Sequence, residues 1–482
     1  MNQTSIRINL IYKSILTIAN PILGILTFPY ISRVLGVGNV GLVNFVDNTI
    51  SYFLLFASMG ISTIGVRAIA ASKNNQDSLN KVFSNILGLN LIFTIVVLIL
   101  YNLALVYIPR FSANIKLFLI GNAKIIFTSL LIEWFYSGIE NFRFITIRSL
   151  LIRLIYIFLL FIVIKDPGDY VLYFILTTAT IVVNSVVNMF YSLKLVKVVF
   201  KELFSFTYLR ENLLIGVYSI MTSMYLTFNV MFLGLRTNDI EVGYYTSAFK
   251  LYNLMLSVFT AFTSVMLPRM SSLIADNNFA QFNRFTDKSF ESVSLLSFPI
   301  ILCSALLAPE IIDLICGPGY EGAIIPMQII MPSIFLVAIS QVLAIQVLMP
   351  LKRDNILLRT SIFGAISSII LNVTLVSKFG SVGSSLVLMF SELIVTIIYV
   401  IYVTKNNIVR IPWGRFFKSF VKSLPCAVVC LVYKSMISQP YVIIVLSFIS
   451  SVLVYGLINL DELRNLVINR RDRIFQNCSN NE

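Results

Sequence analysis

Of the 482 residues, 58% are hydrophobic and only 12% charged, with a mean hydropathy of +0.89; a soluble domain carries roughly 25% charged residues, so this balance excludes a water-soluble globular chain and indicates a polytopic membrane protein. The formal charge of +14 would suit nucleic acid, but the cations concentrate in alternate loops, as the positive-inside rule describes, and no nucleic-acid role is expected. With no histidine and five cysteines that lack metal-ligand spacing, the usual zinc ligand and the usual neutral-pH proton carrier are missing, and neither a metal nor a cofactor is expected.

Apolar runs of the roughly 20 residues needed to cross about 30 Å of hydrocarbon recur along the whole chain and leave no space for a sizeable soluble domain. About fourteen are legible, which predicts an all-α fold. The first, 11–32, has Arg7 and Lys13 at its entry and is too long for the apolar part of a signal peptide, so it reads as a retained helix. After it come 42–65, 83–108, 115–138, 148–165 and 170–193. Beyond a basic stretch follow 212–235, 243–266, 292–315, 323–348, 356–377 and 381–404. The last pair, 416–436 and 440–459, precedes a basic tail, RNLVINRRDR, expected to lie against anionic headgroups. Most Lys and Arg then fall on one side, which places both termini in the cytoplasm.

Polar punctuation adds detail. Pro21, Pro29, Pro299, Pro309, Pro326 and Pro332 are expected to kink their spans beside protein or water, because an unpaired backbone group in lipid costs several kcal/mol. GVGNVG (36–41), NDIEVG (238–243), GPGYEG (317–322) and GSVG (380–383) read as turns; a phosphate loop would need its Lys-Ser/Thr and a soluble helix. The longest inside loops are 194–212 and 271–289. The second reads as an amphipathic connector with Phe279, Phe282 and Phe285 at the interface.

The stretch from Phe28 to Lys81 has a fainter copy from Met231. At an offset of 202, Gly41 falls on Gly243, Arg67 on Arg269 and Asn75 on Asn277. Such an echo indicates two homologous halves.

Ionisable residues near mid-membrane are costly, by about 2.5 to 3.5 kcal/mol on insertion scales, and usually face an aqueous cavity. The candidates are Asp47, Lys124, Glu133, Lys250 and Glu392, with Arg153 nearer an edge. The repeat offset carries Asp47 to position 249, beside Lys250, so a two-fold axis would bring both to one central cleft. Lys124 and Glu133 lie about 13.5 Å apart along a helix and cannot pair with each other. Trp134, Phe135 and Tyr136 read as an interfacial belt.

Five stretches, FPYISRVLGVGNVG (28–41), EWFYSGIENFRF (133–144), VGYYTSAFKL (242–251), MLPRMSSL (266–273) and LNVTLVSKFGSVGSSLV (371–387), together resemble the Wzx-type flippases. These are O-antigen and capsule repeat-unit transporters of the multidrug/oligosaccharidyl-lipid/polysaccharide (MOP) exporter superfamily. The resemblance implies two six-helix lobes in a MATE-like V, 1–210 and 211–410, with two peripheral helices and the tail in 411–482. It implies a transporter, not an enzyme, that carries undecaprenyl-diphosphate-linked oligosaccharide from the cytoplasmic to the periplasmic leaflet of the bacterial inner membrane by alternating access. A polysaccharide polymerase and a chain-length regulator are the implied protein partners.

For that cargo the phosphates need cations, for which Lys250, Lys124, Arg33, Arg236 and Arg153 are available. Asn44, Asn48, Asn229 and Asn253 offer amides to sugar hydroxyls. Asp47, Glu133 and Glu392 are the carboxylates open to H⁺ or Na⁺ coupling. A multidrug or lipid II exporter of the same superfamily would keep the fold and change the cargo. A membrane polymerase or glycosyltransferase would need a large outside loop, which the short loops do not provide.

Overall fold

The computed structural model describes residues 6–460; the basic tail from Arg464 and Cys478 lie outside the described residues. The described residues form helices and turns, with no strand among them. In chain order the helices are α1 (Ile6–Ala57), α2 (Ile61–Ser72), α3 (Gln76–Tyr107), α4 (Ile115–Ser129), α5 (Glu133–Gly138), α6 (Phe142–Val163), α7 (Tyr170–Ser192) and α8 (Leu209–Arg236). They continue as α9 (Asp239–Ala275), α10 (Phe279–Leu306), α11 (Ala308–Cys316), α12 (Ile324–Ile330), α13 (Ser333–Gln341), α14 (Asp354–Leu371), α15 (Ser377–Lys405), α16 (Trp413–Met436) and α17 (Pro440–Ile458). Wider π turns, Val342–Leu348 and Asn372–Val376, extend α13 and α14.

Ten helical stretches among the described residues are long and apolar enough to cross a membrane, or eleven if the bent pair Glu321–Ile330 and Ser333–Leu348 makes one span. The chain is thus a multi-pass membrane protein, with a count that differs from the fourteen apolar runs for identifiable reasons. Gly36 (φ 73) and Gly380 (φ 55) bend α1 and α15 without ending them, so runs separate in hydropathy are joined in backbone. Conversely, run 292–315 is broken at Leu307, between α10 and α11, and run 323–348 bends by 40° at its second proline.

Several turns read from sequence are helical. GVGNVG bends only at Gly36, and NDIEVG is the start of α9, where the Asn238 side chain accepts a hydrogen bond from the Glu241 amide at 2.9 Å. The connector 271–289 is the end of α9, a turn at Asp276–Asn278 and the start of α10; Phe282 is buried rather than interfacial. In the first repeat copy the helix stops at Ser58–Gly60, with Gly60 in the left-handed region (φ 71). At the matching positions of the second copy no glycine stands, and α9 runs on unbroken.

The chain divides into two compact units. The first comprises the chain through Ser247 with Ile315–Pro326 and Leu358–Ser391; the second comprises Ala248–Leu314, Met327–Leu357 and the chain from Glu392. Lipid is as apolar as leucine, so packing between membrane helices relies on close contact and on polar groups turned inward. In unit one, α3 follows that rule. Ile95, Val96, Ile99, Leu100, Leu103 and Val106 are exposed along one stripe, whereas Asn80, Ser84, Asn85, Asn90 and Thr94 are buried on the other side. Those inward groups hold the linker after α7: Asn80 and Ser84 accept from the amides of Lys197 and Val199, and Asn85 donates to the Ser205 carbonyl.

The aromatic run of α5 does not form an interfacial belt. Trp134, Phe135 and Tyr136 are buried against Phe83, Ile69 and Ile61, with the Phe83 and Phe135 rings 5.0 Å apart edge to face. In unit two, buried Gln346 on the first π turn ties two helices: its amide oxygen accepts from Ser289 at 2.7 Å and its nitrogen lies 3.5 Å from the Thr263 hydroxyl. Helices α16 and α17 pack at the end of α10, where Cys430 and Ile443 meet Leu307.

Candidate functional site

Within unit one, the kink at Gly36 directs the second leg of α1 past α4 and carries Asp47 to Lys124, with which it forms a direct ion pair. Lys124 is mostly buried and Asp47 partly open, at 11% and 39% side-chain exposure. An enclosed charge of this kind is costly unless paired, and Asp47 supplies the pair. Arg153 on α6 lies within electrostatic reach of Tyr156 and Tyr173, which are hydrogen-bonded to each other and in turn sense Asp47. Two cations, one carboxylate and two phenols are therefore neighbours in unit one. Such a set can accept an anion and offer phenolic donors to hydroxyls.

Beside it, α4 breaks. Ile132 is forced to φ 38, a conformation that a β-branched residue adopts only when its surroundings compel it. Carbonyls released by a break inside lipid must find donors, and here side chains supply them. Asn90 donates to Ser129 at 3.0 Å, Ser185 to Phe127, and Asn188 to Leu131. Glu133, the first residue after the break, accepts from Arg148 Nη2 at 2.8 Å. Arg148 is buried and also bonds Asn188 and Ser149 Oγ. An open cleft of about 210 Å³ lies at the break, lined by residues that include Ser58, Ser62, Asn90, Thr128, Glu133 and Trp134.

A third feature joins the repeat copies. A side chain at Gly41 would meet the Asp239 carbonyl, and one at Gly243 would meet the Val37 carbonyl; both contacts exchange under the 202-residue offset. Three residues on, Asn44 Nδ2 donates to Thr246 Oγ1 at 3.0 Å, again at a separation of 202. Only glycine allows the backbones this close. Next to the crossing, Arg110 pairs with Asp239, and Glu241 accepts from the Ser381 amide at 2.7 Å beside Gly380.

The remaining candidates are dispersed. Asn48 bonds the Asn44 carbonyl at 2.8 Å. Arg33 is exposed, its stem against Gly317. Arg236 is exposed at the end of α8, its guanidinium 5.6 Å from the Phe232 ring centre. Asn229 is buried and bonds Tyr245 and the Ser384 carbonyl, so it packs the unit instead of facing a sugar. Lys250 and Asn253 lie on α9 in unit two, both exposed. Glu392 in α15 is buried and carries no ion pair among the described residues.

Sequence reasoning missed Arg148, Asn188 and Asn90. Arg148 opens the apolar run 148–165, and its place in the stretch ITIRSLLIR is the signal that could have flagged it. The two asparagines gave no signal, because their task is set by a break in a different helix.

The fold is shared with solved membrane transporters. A lipid II flippase, MurJ, in an inward closed conformation aligns over 95% of this chain and 100% of its own, with TM-score 0.77 and 17% identity. An inward-facing MATE multidrug transporter of the MOP superfamily aligns over 81% of this chain and 97% of its own, with TM-score 0.61 and 12% identity. The architecture is therefore the fold that these transporters share. Within that class the chain belongs to the polysaccharide biosynthesis protein family, whose profile matches residues 6–274. Over 84% of its length it is 25% identical to the "Putative O-antigen transporter" of Escherichia coli K12, covering 99% of that relative.

Proposed function

We propose that this protein is a flippase that moves undecaprenyl-diphosphate-linked oligosaccharide repeat units from the cytoplasmic to the periplasmic leaflet of the inner membrane by alternating access. The reading is carried by the match across almost the full length of a protein named as an O-antigen transporter. Chemistry on this chain agrees with such a cargo. The lipid tail can stay in the bilayer, the diphosphate needs cations, and the sugar needs hydrogen-bonding groups in a wet site. Lys124 and Arg153 supply charge in unit one, where Arg33 precedes the kink of α1 and Arg236 ends α8; Lys250 on α9 is the cation assigned to the diphosphate in unit two. Asn44, Asn48 and Asn253 serve the saccharide.

Glu392 is the carboxylate best suited to bind a coupling H⁺ or Na⁺, since Asp47 and Glu133 already hold basic partners. Both termini are assigned to the cytoplasm from the distribution of Lys and Arg, and a polysaccharide polymerase and chain-length regulator receive or organise the product.

The test is a deletion strain. Lipid-linked repeat units should accumulate inside, surface polysaccharide should disappear, and the wild-type gene should restore both. Unchanged polysaccharide with drug sensitivity or cell-wall lysis would transfer the reading to a multidrug or lipid II exporter.

A further inference from the structure

The cleft at the α4–α5 break has a donor and acceptor pattern that specifies a ligand class. The hydroxyl protons of Ser58, Thr128 and Ser129 are committed to the carbonyls of Leu54, Lys124 and Ile126, at 2.8, 2.7 and 2.6 Å. Only their lone pairs remain for a ligand. Asn90 likewise commits its amide nitrogen to Ser129 and keeps its oxygen, and Glu133 adds a carboxylate, 43% exposed. The wall is thus almost wholly acceptor. The exceptions are the Ser62 hydroxyl, which can also donate, and the buried indole N–H of Trp134, which has no partner among the described residues.

An acceptor wall rejects phosphate and favours either a cation or a molecule rich in O–H groups. Two observations separate these. Arg148 already neutralises Glu133 at 2.8 Å, so a metal ion or ammonium group there would sit beside a guanidinium. Backbone carbonyls that could have coordinated a cation at the break, those of Phe127, Ser129 and Leu131, are occupied by Ser185, Asn90 and Asn188. A neutral polyol meets no such penalty. About 210 Å³ falls below the roughly 300 Å³ at which drug-sized pockets begin, which suits one sugar ring rather than a chain.

We propose that this cleft is a sugar subsite: one pyranose ring of the cargo donates its hydroxyls to Glu133, Asn90, Ser58 and Thr128, with the Glu133–Arg148 pair kept intact as the floor. The assignment rests on the flippase reading and adds where in unit one the saccharide is held. The helix break is then what exposes acceptors at membrane depth, in keeping with discontinuous helices at the binding sites of other transporters.

The test uses the full chain in lipid nanodiscs. Of its two tryptophans, Trp413 is replaced by phenylalanine, leaving Trp134 in the cleft wall as the single reporter. Glucose, galactose, mannose and N-acetylglucosamine are titrated as free probes, with sodium chloride against choline chloride in parallel. The expected result is a saturable change in Trp134 emission with at least one sugar and none specific to sodium. Binding should weaken about fivefold or more, the scale of one lost hydrogen bond, in Glu133→Gln. It should also weaken in Ser62→Leu, which fills the cleft without touching the ion pair. A response to sodium alone, or to no sugar, overturns the subsite. A deletion strain that accumulates no lipid-linked saccharide overturns the flippase reading instead, whatever the fluorescence shows.

Discussion

Removing the charge from Glu133 should destabilise the protein more than removing both partners of its ion pair. Arg148 has only 5% of its side chain exposed and reaches Glu133 and Ser149 at 2.8 Å each, as well as Asn188. Glu133→Gln leaves an acceptor in place but strands a guanidinium where water scarcely reaches. Breaking a fully buried pair from one side costs about 3 to 5 kcal/mol, and the 43% exposure of Glu133 reduces that to about 2 to 3 kcal/mol. Arg148→Met removes the stranded charge; what remains is the unsatisfied oxygen of fully buried Asn188, about 1 to 3 kcal/mol. In the double variant only that second penalty persists. Glu133→Gln/Arg148→Met should therefore lie about 2 kcal/mol above the sum of the single losses, and no lower than Glu133→Gln itself. Size-exclusion profiles after a heating series rank the four proteins. A double variant that melts below both singles, with losses that add within about 0.5 kcal/mol, would refute the view that the pair holds the break together.

Other expectations follow from the remaining contacts. Gly41→Val and Gly243→Val each push a side chain into a neighbouring carbonyl; overpacking costs about 1 to 3 kcal/mol, and the amount of folded protein in membranes should fall for both. Lys124→Ala should abolish surface polysaccharide, whereas Asp47→Asn should retain transport with tighter retention of the lipid diphosphate, measured as co-purified lipid phosphate. Lys250→Ala should abolish polysaccharide without lowering protein level, and wild-type polysaccharide in that variant would remove Lys250 from the cargo path. Reversal of the Arg110–Asp239 pair one residue at a time should impair transport, and the double swap should restore it.

Hydropathy disclosed the fold class because membrane helices declare themselves by length and composition, and the 202-residue echo marked the glycines that the crossing requires. The apolar runs and the continuous helices differ where two helices meet across a glycine kink, as at Gly36 and Gly380. Hydropathy also missed breaks, such as that at Ile132, because a break inside an apolar run leaves apolarity unchanged. Asp47, Lys124 and Glu133 were visible as charges out of place. Their partners were less so: a charge pairs in space, and nothing local to Glu133 reveals that Arg148 returns to it after a turn. The aromatic run of α5 was misread because aromatic residues suit both a headgroup boundary and a packed interior, and only the neighbouring Phe83 and Ile69 decide between them.

The exchange of Val37 with Asp239 and of Gly41 with Gly243 has the form of an isologous contact, the kind that two identical half-length chains make across a two-fold axis. In such a dimer every residue at the crossing would be present twice, and no substitution could improve one side without altering the other. Joining the copies in one chain removes that tie everywhere except where both backbones touch. Asn44 faces Thr246, a donor against an acceptor that no symmetric pair of chains could present, while the glycines remain alike. The crossing therefore separates what a duplicated transporter is free to specialise from what both copies must keep in common.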